Sequence, residues 1–323
     1  MRHTLAELEQ AAATVHAVMA PTPQICWPLL CQRAGAEVWV KHENHTPIGA
    51  FKIRGGLNYL RELRARQPAI RGVVAATRGN HGQSVALAAR RAGLRAVIVV
   101  PHGNSLEKNA AMGALGAELI QHGHDFTSAY EFAMALAEQQ DLHPIRSFHP
   151  WLVVGVASYS LELFRAVADI DTIYVPIGLG SGIGGAIAAR DVLGLATRIV
   201  GVVSENAPTY ALSFARRLPT PTNSADTIAD GMAVRIPDDQ ALAAILRGAD
   251  RIVAVSEVEI RAAMRHYYPD THNIAEGAGA APLAALLKEK EKMAGKRVAL
   301  VLSGGNIDIA LYRQVLDEPA ATA

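Results

Sequence analysis

The sequence predicts a doubly wound α/β protein with mainly parallel sheets, on three observations. Short Val/Ile/Ala runs recur without the polar alternation of a half-exposed strand, the pattern of strands covered on both faces. Segments of helical periodicity separate these runs, as in βαβ units. Glycine-rich turns follow several of the runs, at the strand ends where such folds receive ligands.

The elements follow in order. Thr4 and Glu7 form a capping box ahead of a first helix, which stops at Pro21-Thr22-Pro23. Glu37–Lys41 is a strand leading into KHENHTPIGAFKIRGG, residues 41 to 56. Gly72–Ala76 is a buried strand, His81 to Ala92 a helix, and Arg95–Val100 a strand. A helix over Lys108–Leu115, a strand over Ala117–Gln121 and a helix over Thr127–Gln139 come next. Strands are expected at Pro144–Phe148, Thr172–Pro176, Arg198–Ser204, Arg251–Val255 and Arg297–Leu302. The tail from Asp317 onward is expected to fray.

Composition narrows the function. Of 323 residues, 50% are hydrophobic and 19% charged, enough to fill the core of two domains or one large one. A net charge of +1 with no basic block argues against nucleic acid or a membrane surface as partner. Cys26 and Cys31 lie in CWPLLC, which is neither a CxxC redox pattern nor a zinc pattern, and are expected in the core. The N-terminal segment carries Glu7 and Glu9 and does not read as a signal peptide. A soluble cytoplasmic protein is expected.

Four stretches carry the chemistry. Lys52 stands in an apolar run with Ile48, Ala50, Phe51 and Ile53, where lost hydration favours the neutral amine that can form a Schiff base. Gly49, Gly55 and Gly56 would let the backbone approach something bulky. Thr77-Arg78-Gly79-Asn80-His81-Gly82 opens a helix after a strand; its N–H groups suit a carboxylate, and the same residues suit an ordinary turn capped by Asn80. Gly178-Leu179-Gly180-Ser181-Gly182, continuing to Gly185, is a phosphate cup. Gly180, Gly182, Gly185 and Glu205 also satisfy a dinucleotide fingerprint, which leaves a nicotinamide dehydrogenase open. Ser303-Gly304-Gly305-Asn306 ends the last strand and can reach a ligand or be a plain turn. A reactive amine, an amide donor, a phosphate cup and a polar strand end together match the parts of pyridoxal phosphate.

With these motifs in this order the chain resembles the serine/threonine dehydratase and serine racemase family, pyridoxal-phosphate enzymes of the tryptophan-synthase-β fold type (fold type II). The markers are FKIRGG, RGNHGQS, the Gly178–Gly182 loop, TIADGMAV at 227 to 234, EGAGA from Glu276 and LSGGN, spanning about Thr22 to Asp308. The resemblance implies that Lys52 holds the cofactor as a Schiff base, Phe51 packs on its ring and Asn80 contacts the ring hydroxyl. It implies that Gly178, Leu179, Gly180, Ser181 and Gly182 hold the phosphate and Ser303 bonds the ring nitrogen, with Glu276 and Gly304 alongside. Thr77, Arg78, Gly79, Asn80 and His81 would take the substrate. It implies a small domain, 48–145, inserted in a large one of 1–47 and 146–323, and a homodimer. The implied reaction is elimination of water from threonine or serine to give a 2-oxo acid and ammonia. An alternative is threo-3-hydroxyaspartate, with Arg78 on the second carboxylate. Three departures follow. Ala50 replaces the usual serine, to little effect. Arg78 stands where racemases carry a serine, so racemisation is not expected. Glu205 matches one carboxylate of a cation site but Ala211 replaces the next, so no metal is expected. The regulatory domain of biosynthetic relatives is not expected either.

Overall fold

A computed structural model describes residues 3–318. Ten strands are formed: β1 Gln24–Cys26, β2 Glu37–His42, β3 Gly72–Ala76, β4 Arg95–Val100, β5 Glu118–Gln121, β6 His143–Pro144, β7 Thr172–Pro176, β8 Arg198–Ser204, β9 Arg251–Val255 and β10 Arg297–Leu302. They make two sheets, a six-stranded one in the order β1-β2-β10-β7-β8-β9 and a four-stranded one in the order β5-β4-β3-β6. All pairs are parallel except β1 with β2.

The continuous apolar runs mean what they were expected to mean. Along β10, Val298, Leu300 and Leu302 enter one core with Tyr174, Val200 and Val202, while Ala299 and Val301 enter the opposite core with Ile173, Val175 and Ile199. The smaller sheet is covered likewise, Val73, Ala75 and Ile98 on one face and Val74, Val97 and Val99 on the other. Successive strand side chains point to opposite faces, so a strand buried on both can carry no polar alternation.

Three local differences have local causes. The edge strand β1 lies between Pro23 and Pro28 and is too short to show a pattern. The expected strand at 144–148 shrinks to His143–Pro144; only the Ile145 N–H, donating to the Val74 carbonyl at 2.8 Å, extends the pairing. The C-terminal helix Ile309–Asp317 runs into the expected tail, and Glu318 accepts from Arg261 and Arg265; the remainder of that tail lies outside the described residues.

The helix Lys52–Arg66 connects the two sheets. It crosses the helix Pro150–Ala166 closely, because a Cβ on Gly55 would stand 3.0 Å from the Leu152 carbonyl and one on Gly155 would strike the Arg54 carbonyl. The bulky neighbours of Gly55 and Gly56 are therefore other helices. Arg54 is fully buried here. Its Nε and Nη2 donate to Glu43 at 2.6 and 2.9 Å, and its Nη1 and Nη2 donate to Glu162 at 2.6 and 2.9 Å. Lys41 completes the cluster, 2.6 Å from Glu162. Burial opposes the charge on Glu162, yet Arg54 and Lys41 hold its carboxyl down at about 2. Removing one partner leaves a buried charge uncompensated. Arg54→Met is therefore expected to lower unfolding free energy by about 3–5 kcal/mol in urea titrations, with part of the loss recovered when Glu43→Gln is added.

Candidate active site

The turn before Lys52 is built from its own side chains. Thr46 Oγ1 accepts from the Ala50 N–H at 2.9 Å and donates to the Ala50 carbonyl at 2.8 Å. Gly49 takes φ +66°, and a Cβ there would stand 2.6 Å from Asn306 Oδ1. The turn is then stitched to the end of β10. Ala50 bridges Gly304, the Phe51 N–H donates to the Ser303 carbonyl at 3.0 Å, and the Gly305 N–H donates to the Gly49 carbonyl at 3.0 Å. Two stretches some 250 residues apart in sequence thus share one backbone ladder.

Lys52 is the first residue of its helix and is half-buried. Its carbonyl accepts from Ser84 Oγ at 2.7 Å, and its Nζ lies 5.2 Å from the centre of the Phe51 ring. The amine has no hydrogen-bond partner among the described residues. Burial lowers it from 10.5 to about 8, against the pull of Glu276. Far more of it is neutral near pH 7 than of an ordinary lysine, and a neutral, unpartnered amine is a nucleophile and a base.

The turn after β3 places Asn80 at the start of the helix Asn80–Arg91, with Gly79 as the capping residue. Asn80 is therefore not the cap, and its side chain is free to turn inward. Its Nδ2 donates to Glu276 Oε1 at 2.8 Å, and its Oδ1 accepts from Asn306 at 2.7 Å. Thr77 Oγ1 accepts from the Gly79 N–H at 3.2 Å and sets the turn. His81 is buried against the Ile145 carbonyl, and burial pushes its imidazole down to about 3, so it stays neutral. Arg78 is exposed at the mouth of a cavity of about 190 Å³.

The glycine turn lies between β7 and the helix Ser181–Val192. Gly180 takes φ +100°, and a Cβ on Gly178 would strike the Gly231 carbonyl. Tyr210 donates to the Leu179 carbonyl at 3.1 Å and Tyr159 to the Gly182 carbonyl at 3.0 Å. A Cβ on Gly182 would stand 3.7 Å from Phe51, so the residue next to Lys52 also touches this turn. Gly185, the last glycine of the dinucleotide pattern, serves packing, since a Cβ there would lie 2.9 Å from the Ala157 nitrogen. Glu205, the acid of that pattern, is exposed and held by Lys288 at 3.1 Å. A larger cavity of about 320 Å³ opens behind the glycine helix near Ala244 and Arg247, and Lys52 does not line it.

Ser303 is 3% exposed, and its hydroxyl bonds no protein atom among the described residues. Glu276 starts the helix Gly277–Lys288 and stands against Gly304, whose Cβ would come 2.6 Å from its Oε1. Lys52, Phe51, Asn80, Glu276, Ser303, Gly304 and the glycine turn are therefore linked by direct contact or by one shared neighbour. Sequence reasoning missed Lys108, Asp230 and Asp308. They line the same cavity as Arg78, and Lys108 reaches Asp230 at 2.8 Å. The only signal was TIADGMAV, to which no role attached.

The chain is similar to known proteins over most of its length. The family model described as pyridoxal-phosphate dependent enzyme matches residues 15–304. The L-threonine ammonia-lyase of Thermotoga maritima is 35% identical over 318 residues, 98% of this chain and 78% of that protein. The processed form of threonine deaminase isoform 2 from Solanum lycopersicum superposes with a TM-score of 0.89 at 30% identity, over 97% of this chain and 94% of that one. Maize serine racemase gives a TM-score of 0.91 at 28% identity, over 97% of both chains.

The titration of Glu276 has a consequence for stability. Burial raises its carboxyl from 4.5 to about 7. Between those values the folded chain keeps a proton that the unfolded chain has released, so this contribution is whole below pH 4.5 and is lost as pH rises through about 7. In cofactor-free protein, Glu276→Gln is expected to flatten the pH dependence of the urea midpoint across that window. A midpoint slope equal to wild type would contradict the assignment.

Proposed function

We propose, starting from the fact that this chain belongs to the pyridoxal-phosphate dependent enzyme family, that it is an ammonia-lyase acting on L-threonine or L-serine. The observation that carries this reading is the Lys52 amine, without a hydrogen-bond partner among the described residues, beside a Phe51 ring whose tip lies against Gly182 of the glycine turn. The residues fit the cofactor. A glycine-rich turn at a helix start suits its phosphate, an amine with no hydrogen-bond partner among the described residues suits its aldehyde, and a buried serine hydroxyl likewise without a partner among them suits its ring nitrogen. Asn80 and Phe51 would hold the ring hydroxyl and the ring face, with Glu276 and Gly304 beside them.

Bound pyridoxal phosphate supplies an aldehyde for the substrate's amine and an electron sink that acidifies its Cα. The rest falls to the chain. The turn Thr77–His81 presents backbone N–H groups to the substrate carboxylate and orients the Cα hydrogen. Lys52 Nζ, with its proton affinity lowered by burial to about 8, takes that hydrogen near neutral pH. Ser303 offers a neutral hydroxyl and, unlike an aspartate, does not keep a facing ring nitrogen protonated. This favours loss of the β-hydroxyl over reprotonation of Cα. His81 is neutral and adds no charge to the site.

Asp230, Glu276 and Asp308 line this cavity with Arg78 and Lys108; Lys108 is already paired with Asp230, and buried Glu276 is raised to about 7 and only partly charged near neutral pH. A second substrate carboxylate would enter a field that is not positive. The balance supports a substrate with a neutral β-hydroxyl side chain over 3-hydroxyaspartate. In the same reading residues 48–145 are a small domain set into a large one of 1–47 and 146–323, and the enzyme works in the cytoplasm as a homodimer.

Lys52→Ala is expected to abolish turnover of threonine and the visible absorbance of the holoenzyme. Borohydride should fix the cofactor on Lys52 of wild type, read by peptide mass. Fixation on another lysine would overturn the assignment. For specificity, Arg78→Ser is expected to change kcat/KM for threonine by less than about threefold, within 1 kcal/mol. A wild type that prefers threo-3-hydroxyaspartate, and loses it in Arg78→Ser, would replace the substrate named here.

A further inference from the structure

Cys26 and Cys31 face each other at the edge of the six-stranded sheet, and we propose that they are a reversible oxidation site that closes to a disulfide under peroxide. Their Sγ atoms stand 3.6 Å apart. Both are half-buried, and Cys31 packs against the core that holds Leu30 and Val38. Cys26 ends β1, the outermost strand, and Cys31 lies in the helix Pro28–Ala34 that follows at once. The Cys31 N–H donates to the Trp27 carbonyl at 2.9 Å, so a local turn brings the thiols together. The S–S distance of a disulfide is about 2.0 Å, so the sulfurs must close by roughly 1.6 Å. An edge strand of three residues paired on one side can give that much.

The two sulfurs are not equivalent. The Val38 N–H donates to Cys31 Sγ at 3.2 Å and stabilises the negative charge that sulfur carries when it attacks. Burial, with the hydrogen bond to Cys31, pushes the Cys26 thiol up to about 11, so it remains the protonated partner. Cys31 is therefore the attacking sulfur and Cys26 the resolving one. In the first step the Cys31 thiolate forms an S–O bond with hydrogen peroxide, the O–O bond breaks, and hydroxide leaves to become water. In the second step Cys26 attacks that sulfur, the S–O bond breaks, and the departing hydroxide takes the Cys26 proton. The two sulfurs lose two electrons in all, and one peroxide becomes two waters. The chain has only two cysteines, so no other intramolecular thiol competes. The site is remote from Lys52 and stands whether or not the proposed reaction does.

The test is thiol titration and intact mass of the holoprotein after brief exposure to hydrogen peroxide. Both thiols are expected to disappear together, with a mass loss of two hydrogens, no cross-linked chains, and full recovery with dithiothreitol. In Cys26→Ser, dimedone should trap an oxidised Cys31; in Cys31→Ser, Cys26 should stay unmodified. Survival of both thiols in wild type, their loss one at a time with added oxygen, or chains joined to each other would overturn the proposal.

Discussion

The structure depends on a buried guanidinium. Arg54 sits two residues after Lys52, in the first turn of a helix whose start has no side-chain cap. Its fork donates to side chains from outside the helix and so fixes that turn by tertiary bonds rather than by a cap. It ties that turn to Glu43 on the segment before the lysine and to Glu162 and Ser158 on the helix that carries the glycine turn's neighbour Tyr159. Such a cluster adds little net stability, because bringing four charges out of water costs about what their attraction returns. Its value is geometric. The bonds to Glu43, Ser158 and Glu162 fix how these elements dock, and that docking sets where the Lys52 amine emerges.

Burial acts on the amine and on Glu276 in opposite senses. It lowers the lysine to about 8 and raises the carboxyl to about 7. Each group moves toward its uncharged form because the charged form is the one that loses water. Both groups therefore change protonation closer to neutral pH than their free forms do. A proton can then be taken up and returned without a deep well on either side, as general-base chemistry near neutral pH requires. The Ser303 hydroxyl and the inward Asn80 amide add dipoles and no charge, and the Asn80 N–H, donating to Glu276, partly offsets the rise that burial causes there.

The sequence made the strands legible where flanking turns and β-branched runs coincided. Gly72–Ala76, Arg95–Val100, Thr172–Pro176, Arg198–Ser204, Arg251–Val255 and Arg297–Leu302 stand where they were expected. The order in which they pair was not legible. β10 enters between β2 and β7, a choice made by packing across the whole chain and not by any local pattern. The site divides the same way. Lys52, Asn80, the glycine turn and Ser303 were visible because each is an unusual residue type at a strand end or helix start. Arg54 was in view within FKIRGG yet could not be singled out, since nothing local tells a buried arginine from an exposed one. Lys108 and Asp230 meet across 122 residues, and neither stretch carries a mark of the other.

The bonds that join the two sheets differ between base and rim. At the base, the Arg54 cluster is sealed from water. At the rim, Lys108 meets Asp230, Ser105 meets Asp308, and Glu107 accepts from the Ile309 N–H. Asp230 is 46% exposed, and ion pairs in such settings are worth about 1 kcal/mol or less. The rim bonds can therefore break one at a time at small cost, while the base cannot open without stranding a charge. The base is thus held by buried charges and the rim by more exposed, weaker contacts. A change of charge at the rim therefore costs the fold less than a change at Arg54.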